Sequence, residues 1–562
     1  MLPNIRPDRG VALVAAVAIT CLLTWPLAPR IAEVGRFDSD ARHGIWNVTW
    51  VARALTSDPA SLYQANIFHP YPNALAFTEP NIVAGVLGVP AWLITGDAVV
   101  TFNSAVLLAF VLSAISVYAL TYYLTGSAAA GGLAAVVFAW SPYMFARLSH
   151  IQLLMTFGLP LTLLQFHRFA DRPGVGRALS LGLSLVVTAL SSGYYGILMS
   201  LVLVWGFIWY GIPDRLRDWR FWTGGALAAF TAALVVFPFY LPYLGVRADG
   251  FSRSLDDARL FSADWRAYLA SAALAHRWLL TWIGSWQDVL FPGLVPLPLA
   301  AVALVWASRR RQPAIGPSFR LVGFYATAAL FAGWVSFGPD AGLYRWLYDW
   351  VPVMSWLRAP GRLGVMVTLS VAVLGGIGLS VLARAVRYRR LAVAAVLALA
   401  VIESNVGPIA LDARPVEPTA YRQLRLLPRG ALLELPYYTA PADRHLNTAY
   451  MLSSTTHWQP ILNGSNDYIP GDAWNDGLTL ARFPDAESWQ VLERRNARYI
   501  LVHWGFYPSG TAPLKRFNAA VFDGYLHQVY SGEGRSLYMV LRWPPATGPV
   551  ARQTAPGWSP AR

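Results

Sequence analysis

NIVAGVLGVPAWLITG, residues 81–96, is the stretch on which the topology of this 562-residue chain turns. It is apolar enough to enter a membrane, but it is interrupted by Pro90 and is shorter than the roughly 20 residues a spanning helix needs. On either side of it lie longer apolar runs, at 11–29, 98–124, 128–146, 150–169, 176–192, 194–211, 221–245, 289–308, 319–338, 363–383 and 390–407. These are about eleven candidate spans. Whether 81–96 adds another decides on which side of the membrane everything after it lies.

Arginine decides between the two readings. Five clusters punctuate the runs: Arg6 and Arg9; Arg172 and Arg177; Arg215, Arg217 and Arg220; Arg309 to Arg311 with Arg320; and Arg384, Arg387, Arg389 and Arg390. If 81–96 does not cross, all five fall on one face, which the positive-inside rule makes cytoplasmic. If it crosses, every cluster after the first changes sides. The expected architecture is therefore a mainly α polytopic bundle of about eleven spans with a re-entrant or interfacial helix in the first external loop. The N-terminus is expected in the cytoplasm. Residues 11–23 read as an uncleaved anchor, because no small-x-small cleavage site follows and Trp25, Pro26 and Pro29 suit a membrane exit.

Composition agrees with this class. The chain is 56% hydrophobic and only 13% charged, about half the charge of a soluble protein. Its net charge of +14 is read as basic inner loops rather than as a nucleic-acid surface. A single cysteine, Cys21, excludes an intrachain disulfide and a CxxC metal site. The one lysine, Lys515, lies in APLKRF, so there is no Walker A loop, and HExxH, GxSxG and GxGxxG are also missing.

Beyond 407 the apolar runs shorten. ALLELPYY (431–438), ARYILVHWGFY (497–507) and SLYMVLRW (536–543) read as strands, and ESWQVLERRNA (487–497) as a helix. Residues 1–407 are thus expected to form the membrane domain, 408–543 a small external α/β domain, periplasmic or extracellular, and 544–562 a disordered Pro-, Gly- and Ala-rich tail.

The polar residues of the membrane domain gather on the external side. In FDSDARHGIWNVTWVARAL (37–55), Asp38 and Asp40 precede Trp46 and Trp50 on one helix face. That helix is expected to lie along the bilayer with its aromatic face among headgroups and its carboxylates stabilised by the helix dipole. Glu79 stands before Pro80 and the short apolar run; Arg147 and His150 end one span, and Arg358 and Arg362 border another. Each has a plain structural role open to it: capping for Asp38 and Glu79, headgroup anchoring for the arginines, a hydrogen-bonded interface for His150. Asp264 and Asp288, with Asp40, are possible ligands for a divalent cation. His457 and Asn463, with Asn466 and Asp467, form the densest polar cluster of the external domain, suited to sugar hydroxyls but also to an ordinary turn.

Read in order, several segments resemble the landmarks of one poorly characterised branch of the bacterial glycosyltransferase-C superfamily. They are the Asp-containing opening with W-x3-W, NIFHPYPNALAFTEPN (66–81), SPYMFARLSHIQLL (141–154), FGLPLTLLQFHRF (157–169), FSADW (261–265), DVLFPG (288–293), SWLRAPGR (355–362) and HWQPILNGSNDYIP (457–470). The resemblance covers nearly the whole chain. It implies an inverting membrane glycosyltransferase that moves a sugar from a polyprenyl-phosphate donor to a glycan, lipid or protein acceptor on the outer face of the cytoplasmic membrane, with membrane lipids as surroundings and no nucleic acid. It places an acidic residue of the first external loop at the catalytic centre, matching Asp40 first and Asp38 second. The arginines and His150 would hold the lipid phosphate. Two other classes remain open, a flippase or permease for lipid-linked or acidic solutes and a non-catalytic envelope scaffold; spans nearly free of charge speak against the conduit.

Overall fold

The computed structural model describes residues 9–212, 215–309, 318–507 and 514–545. The described residues are mainly helical, with a two-stranded and a four-stranded sheet. Two compact units share the chain: Met1–Tyr63 with Leu75–Pro415, and Gln64–Ala74 with Val416–Arg562.

In the first unit, among the described residues, six helices are long and apolar enough to cross a membrane: Ala98–Thr125, Ala128–Ala146, Gly193–Gly211, Trp219–Ala248, Phe319–Ser336 and Pro360–Ala385. Gly10–Leu23, Ile82–Thr95, Val175–Ser191 and Pro296–Arg309 are apolar but shorter. Small residues let the helices pack closely, as expected where association in lipid depends on contact rather than on the hydrophobic effect. A Cβ at Gly376 would stand 2.7 Å from the Ala130 carbonyl, and one at Gly378 would collide with that of Leu299. The Val365–Ala385 helix is consequently buried along most of its length between its neighbours.

The stretch 81–96 forms the helix Ile82–Thr95, with Pro90 inside it and Gly96, at φ 61°, ending it. Its 14 residues rise about 21 Å, short of a hydrocarbon core of roughly 30 Å. One face meets the Ser39–Ser57 helix, where a Cβ at Gly85 would strike Val51. That Ser39–Ser57 helix corrects the expectation of an aromatic face turned to headgroups. Trp46 and Trp50 are buried, and the Trp50 Nε1–H donates to the Leu62 carbonyl at 2.8 Å. The helix is covered by protein on most sides, so its indoles serve as core rather than as membrane anchors. Strands β1 (Val34–Gly35) and β2 (Asp412–Ala413) pair antiparallel and tie the first loop to the end of this unit.

The second unit is built on a sheet of β3 (Ala431–Leu435), β4 (Ala497–His503), β5 (Leu526–Gly532) and β6 (Arg535–Val540), in the order β3-β4-β6-β5. The β3–β4 pair is parallel and the others antiparallel. Leu433, Leu435, Ile500 and Val502 bury against Phe483, Trp489 and Phe517. Residues 64–74 of the first loop belong to this unit. The Ile461 N–H donates to the Asn66 carbonyl (2.8 Å), and the His69 N–H donates back to Ile461 (3.0 Å). Arg495 donates to the Tyr71 hydroxyl at 2.7 Å. Of the expected disordered tail, 546–562 lies outside the described residues.

Candidate active site

The Ser39–Ser57 helix begins where Asp38 caps it, its side chain accepting from the Ala41 N–H at 3.1 Å. The same carboxylate accepts from the Ser149 hydroxyl at 2.6 Å and from Arg36 Nε at 3.2 Å. Burial works to raise the Asp38 pKa, but these donors outweigh it and hold the carboxyl below its ordinary value. Asp38 is saturated.

Asp40, one step inside the helix, is not. Its side chain is 61% exposed and meets His150 Nε2 at 3.2 Å. His150 lies in the turn between the helices Pro142–Ala146 and Ile151–Leu154. Burial pushes its pKa down to about 4, with Asp40 and Asp38 opposing and Arg362 and Arg147 reinforcing the fall. The ring is therefore neutral near pH 7, with Nε2–H assigned as donor to Asp40 and Nδ1 left as an acceptor. That Nδ1 is buried and has no partner, and neither has the buried Nε of Arg147.

Arg147 forms an ion pair with Asp288, both side chains largely buried. Its guanidinium also stands 5.2 Å from the ring centre of Tyr143. The RAPGR turn passes close by, since a Cβ at Gly361 would collide with the Asp288 carboxylate. Within that turn Arg362 sits 4.8 Å from the Tyr194 ring centre, and the Arg358 N–H donates to the Tyr194 hydroxyl at 3.1 Å. The Arg358 guanidinium faces Phe261 at 5.4 Å. Glu79 accepts from the Gly193 N–H at 2.5 Å, at the start of the Gly193–Gly211 helix, where the dipole favours a carboxylate. Asp38, Asp40, Arg147, His150, Asp288 and Arg362 thus form one connected set, with Arg358 and Glu79 joined to it through the Tyr194 end of the same helix.

Other expected residues are placed differently. Asp264 takes the Ala267 N–H at 3.1 Å and Asp288 is occupied by Arg147. With Asp40 they do not make a cation site: among the described residues no group of three or more His, Cys, Asp or Glu is placed to hold an ion. His457 and Asn463 belong to the second unit and are buried there. The Asn463 amide accepts from the Glu434 N–H (2.8 Å) and donates to its carbonyl (2.9 Å), extending β3 much as a neighbouring strand would. His457 accepts from the Gln459 N–H at 3.0 Å and stacks on Tyr421. Burial pushes its pKa down to about 3.

No protein-family model and no curated protein sequence matches this chain. Solved structures do. The arabinofuranosyltransferase AftD from Mycobacteria superposes with a TM-score of 0.56 at 17% identity, over 96% of this chain and 40% of that one. The apo oligosaccharyltransferase of Archaeoglobus fulgidus gives 0.50 at 13% identity, over 88% of this chain and 70% of the other. The chain has the glycosyltransferase-C fold. This chain spans two fifths of the length of the mycobacterial enzyme, and at such identities the likeness is one of fold.

Within this glycosyltransferase-C fold, sequence reasoning missed Arg36, Ser149, Tyr143 and Tyr194, which hold or flank the charged residues. Tyr143 and Ser149 both lie inside the quoted SPYMFARLSHIQLL, which was the one available signal. Nothing marked Arg36 or Tyr194.

Proposed function

We propose that this protein is an integral membrane glycosyltransferase of about eleven spans that uses a polyprenyl-phosphate sugar as donor at the outer face of the cytoplasmic membrane. Asp40 is the base. The observation that carries this reading is the pairing of an open carboxylate, Asp40 on His150, with two buried unsatisfied polar atoms, His150 Nδ1 and Arg147 Nε. Buried polar groups are normally satisfied, and an unpaired acceptor and donor beside an open carboxylate leave two hydrogen-bonding positions for a ligand.

The acceptor hydroxyl attacks the anomeric carbon as Asp40 takes its proton. The bond from that carbon to the phosphate oxygen breaks, and its electron pair leaves on the lipid phosphate. Arg147, Arg358 and Arg362 supply the positive charge that this phosphate needs, and the single displacement inverts the anomeric centre. His150, neutral, donates to Asp40 and orients it. Asp38, already accepting three donors, caps the helix that carries Asp40.

The fold likeness supports glycosyl transfer as the class. The five arginine clusters support a cytoplasmic N-terminus and a second unit on the outer side. The test is transfer of label by the purified protein in lipid vesicles from a pool of radiolabelled polyprenyl-phosphate sugars to glycan, lipid and peptide acceptors. Labelled product with release of polyprenyl phosphate is expected. Product only with nucleotide sugars would overturn the reading.

A further inference from the structure

A second carboxylate–histidine pair lies in the first unit, away from the reacting groups. Glu403, at the end of the Arg389–Ser404 helix, accepts from His276 Nε2 at 2.8 Å, and the two side chains are 10% and 1% exposed. Its carboxylate also takes the Val295 N–H at 2.9 Å and the Leu294 N–H. The turn before them approaches because residue 293 is glycine: it sits at φ 108°, and a Cβ there would stand 3.1 Å from Glu403 Oε2. His276 is fixed in turn by Ser271 Oγ on Nδ1 (2.7 Å) and by Phe291 against its ring edge at 4.9 Å. A buried carboxylate with this many donors is costly to disturb, because removing its charge leaves several buried N–H groups poorly satisfied.

The segment held by Glu403 is the one that begins with Asp288. Between the two ends, the Leu290 and Phe291 N–H groups donate to the carbonyls of Ala267 (2.8 Å) and Ala270 (3.2 Å). Residues 288–295 are therefore tied down from end to end, by Arg147 at one end and Glu403 at the other. We infer that Glu403 and His276 are positioning residues for the reaction: they set Asp288, and through it the Arg147 guanidinium that receives the lipid phosphate. This rests on the function proposed above. Neither residue touches substrate. The Glu403 carboxylate serves as a clamp on the arm that aims Arg147.

The experiment compares the wild type, Glu403→Gln, Asp288→Asn and the double variant, full length in nanodiscs, by their affinity for undecaprenyl phosphate and for uncharged undecaprenol. The clamp predicts that Glu403→Gln loses about tenfold for the phosphate, the scale of one displaced charge-assisted hydrogen bond, with undecaprenol binding unchanged. It also predicts that the double variant is no weaker than Asp288→Asn, since both act through Arg147. Equal loss for both lipids, or multiplicative losses in the double variant, would overturn it. Hydrogen exchange across 288–295 separates this from failure of the functional reading. Faster exchange in Glu403→Gln supports the clamp, and unchanged exchange overturns it, whether or not the wild type binds the phosphate. Absence of wild-type phosphate binding would overturn the functional reading and, with it, the assignment of Glu403 to the reaction.

Discussion

Two carboxylate–histidine pairs in the same unit have the same chemistry and opposite surroundings. Asp40 and His150 meet at 3.2 Å with side chains 61% and 27% exposed, and His150 Nδ1 has no partner. Glu403 and His276 meet at 2.8 Å, nearly sealed, with donors on both carboxylate oxygens and on the far side of the ring. The second unit holds a third case: Glu434 Oε2 accepts from both His503 Nε2 (2.8 Å) and Tyr421 (2.6 Å), while its buried Oε1 has no partner and no access. A carboxylate that must take a proton needs a free oxygen and access; one that must hold a loop needs every oxygen used. Residue type alone does not separate these cases. Satisfaction and access do.

If that distinction is right, neutralising the open pair should cost far more activity than neutralising the sealed one. Asp40→Asn is expected to lower transfer by about 10²–10⁴-fold, the range for removal of a general base, measured as labelled product per protein in vesicles. Asp288→Asn comes next. It leaves a largely buried guanidinium without its counter-charge, a loss on the order of 3 kcal/mol, checked by thermal unfolding in detergent alongside turnover.

His150 gives a pH test with a fixed sign. Its folded pKa, about 4, lies below the ordinary value of 6.5, so its contribution to stability is complete above about pH 6.5 and is lost as pH falls toward 4. The wild type should lose stability over that window and His150→Gln should lose less, read as melting temperature against pH. The smallest effect is expected in the second unit, where Asn463→Ala removes two hydrogen bonds to β3 and should destabilise by about 1–3 kcal/mol with transfer chemistry altered little at temperatures where the protein stays folded.

The parts of the fold that were legible in the sequence are those governed by local pattern. Apolar runs coincide with the long helices, β3 and β4 fall inside the stretches read as strands, and β6 begins one residue ahead of its own. β5 was missed because LHQVYSG is a largely exposed strand at the sheet's end, with little burial to leave a pattern. Assignment of 64–74 to the second unit had no local signal either, since its partners lie nearly 400 positions away, as in the Asn66–Gln459 bond across 393. Trp46 and Trp50 misled because a helix with aromatic residues on one face looks alike whether that face meets lipid or protein. At the site, residue types were readable and partnerships were not. Arg147 and Asp288 are 141 residues apart, and the physical difference between Asp38 and Asp40, the occupation of Asp38 by Ser149, Arg36 and the Ala41 amide, is made by residues the sequence does not pair with them.

That difference between two neighbouring carboxylates is the central claim, and single-turnover transfer by Asp38→Asn and Asp40→Asn side by side tests it most directly. An Asn at 38 can still cap the helix, so that variant is expected to keep its rate within about tenfold of wild type. Asp40→Asn is expected to be slower by about 10²–10⁴-fold. Equal rates for the two variants, or a slower Asp38→Asn, would contradict the assignment of Asp40 as the base.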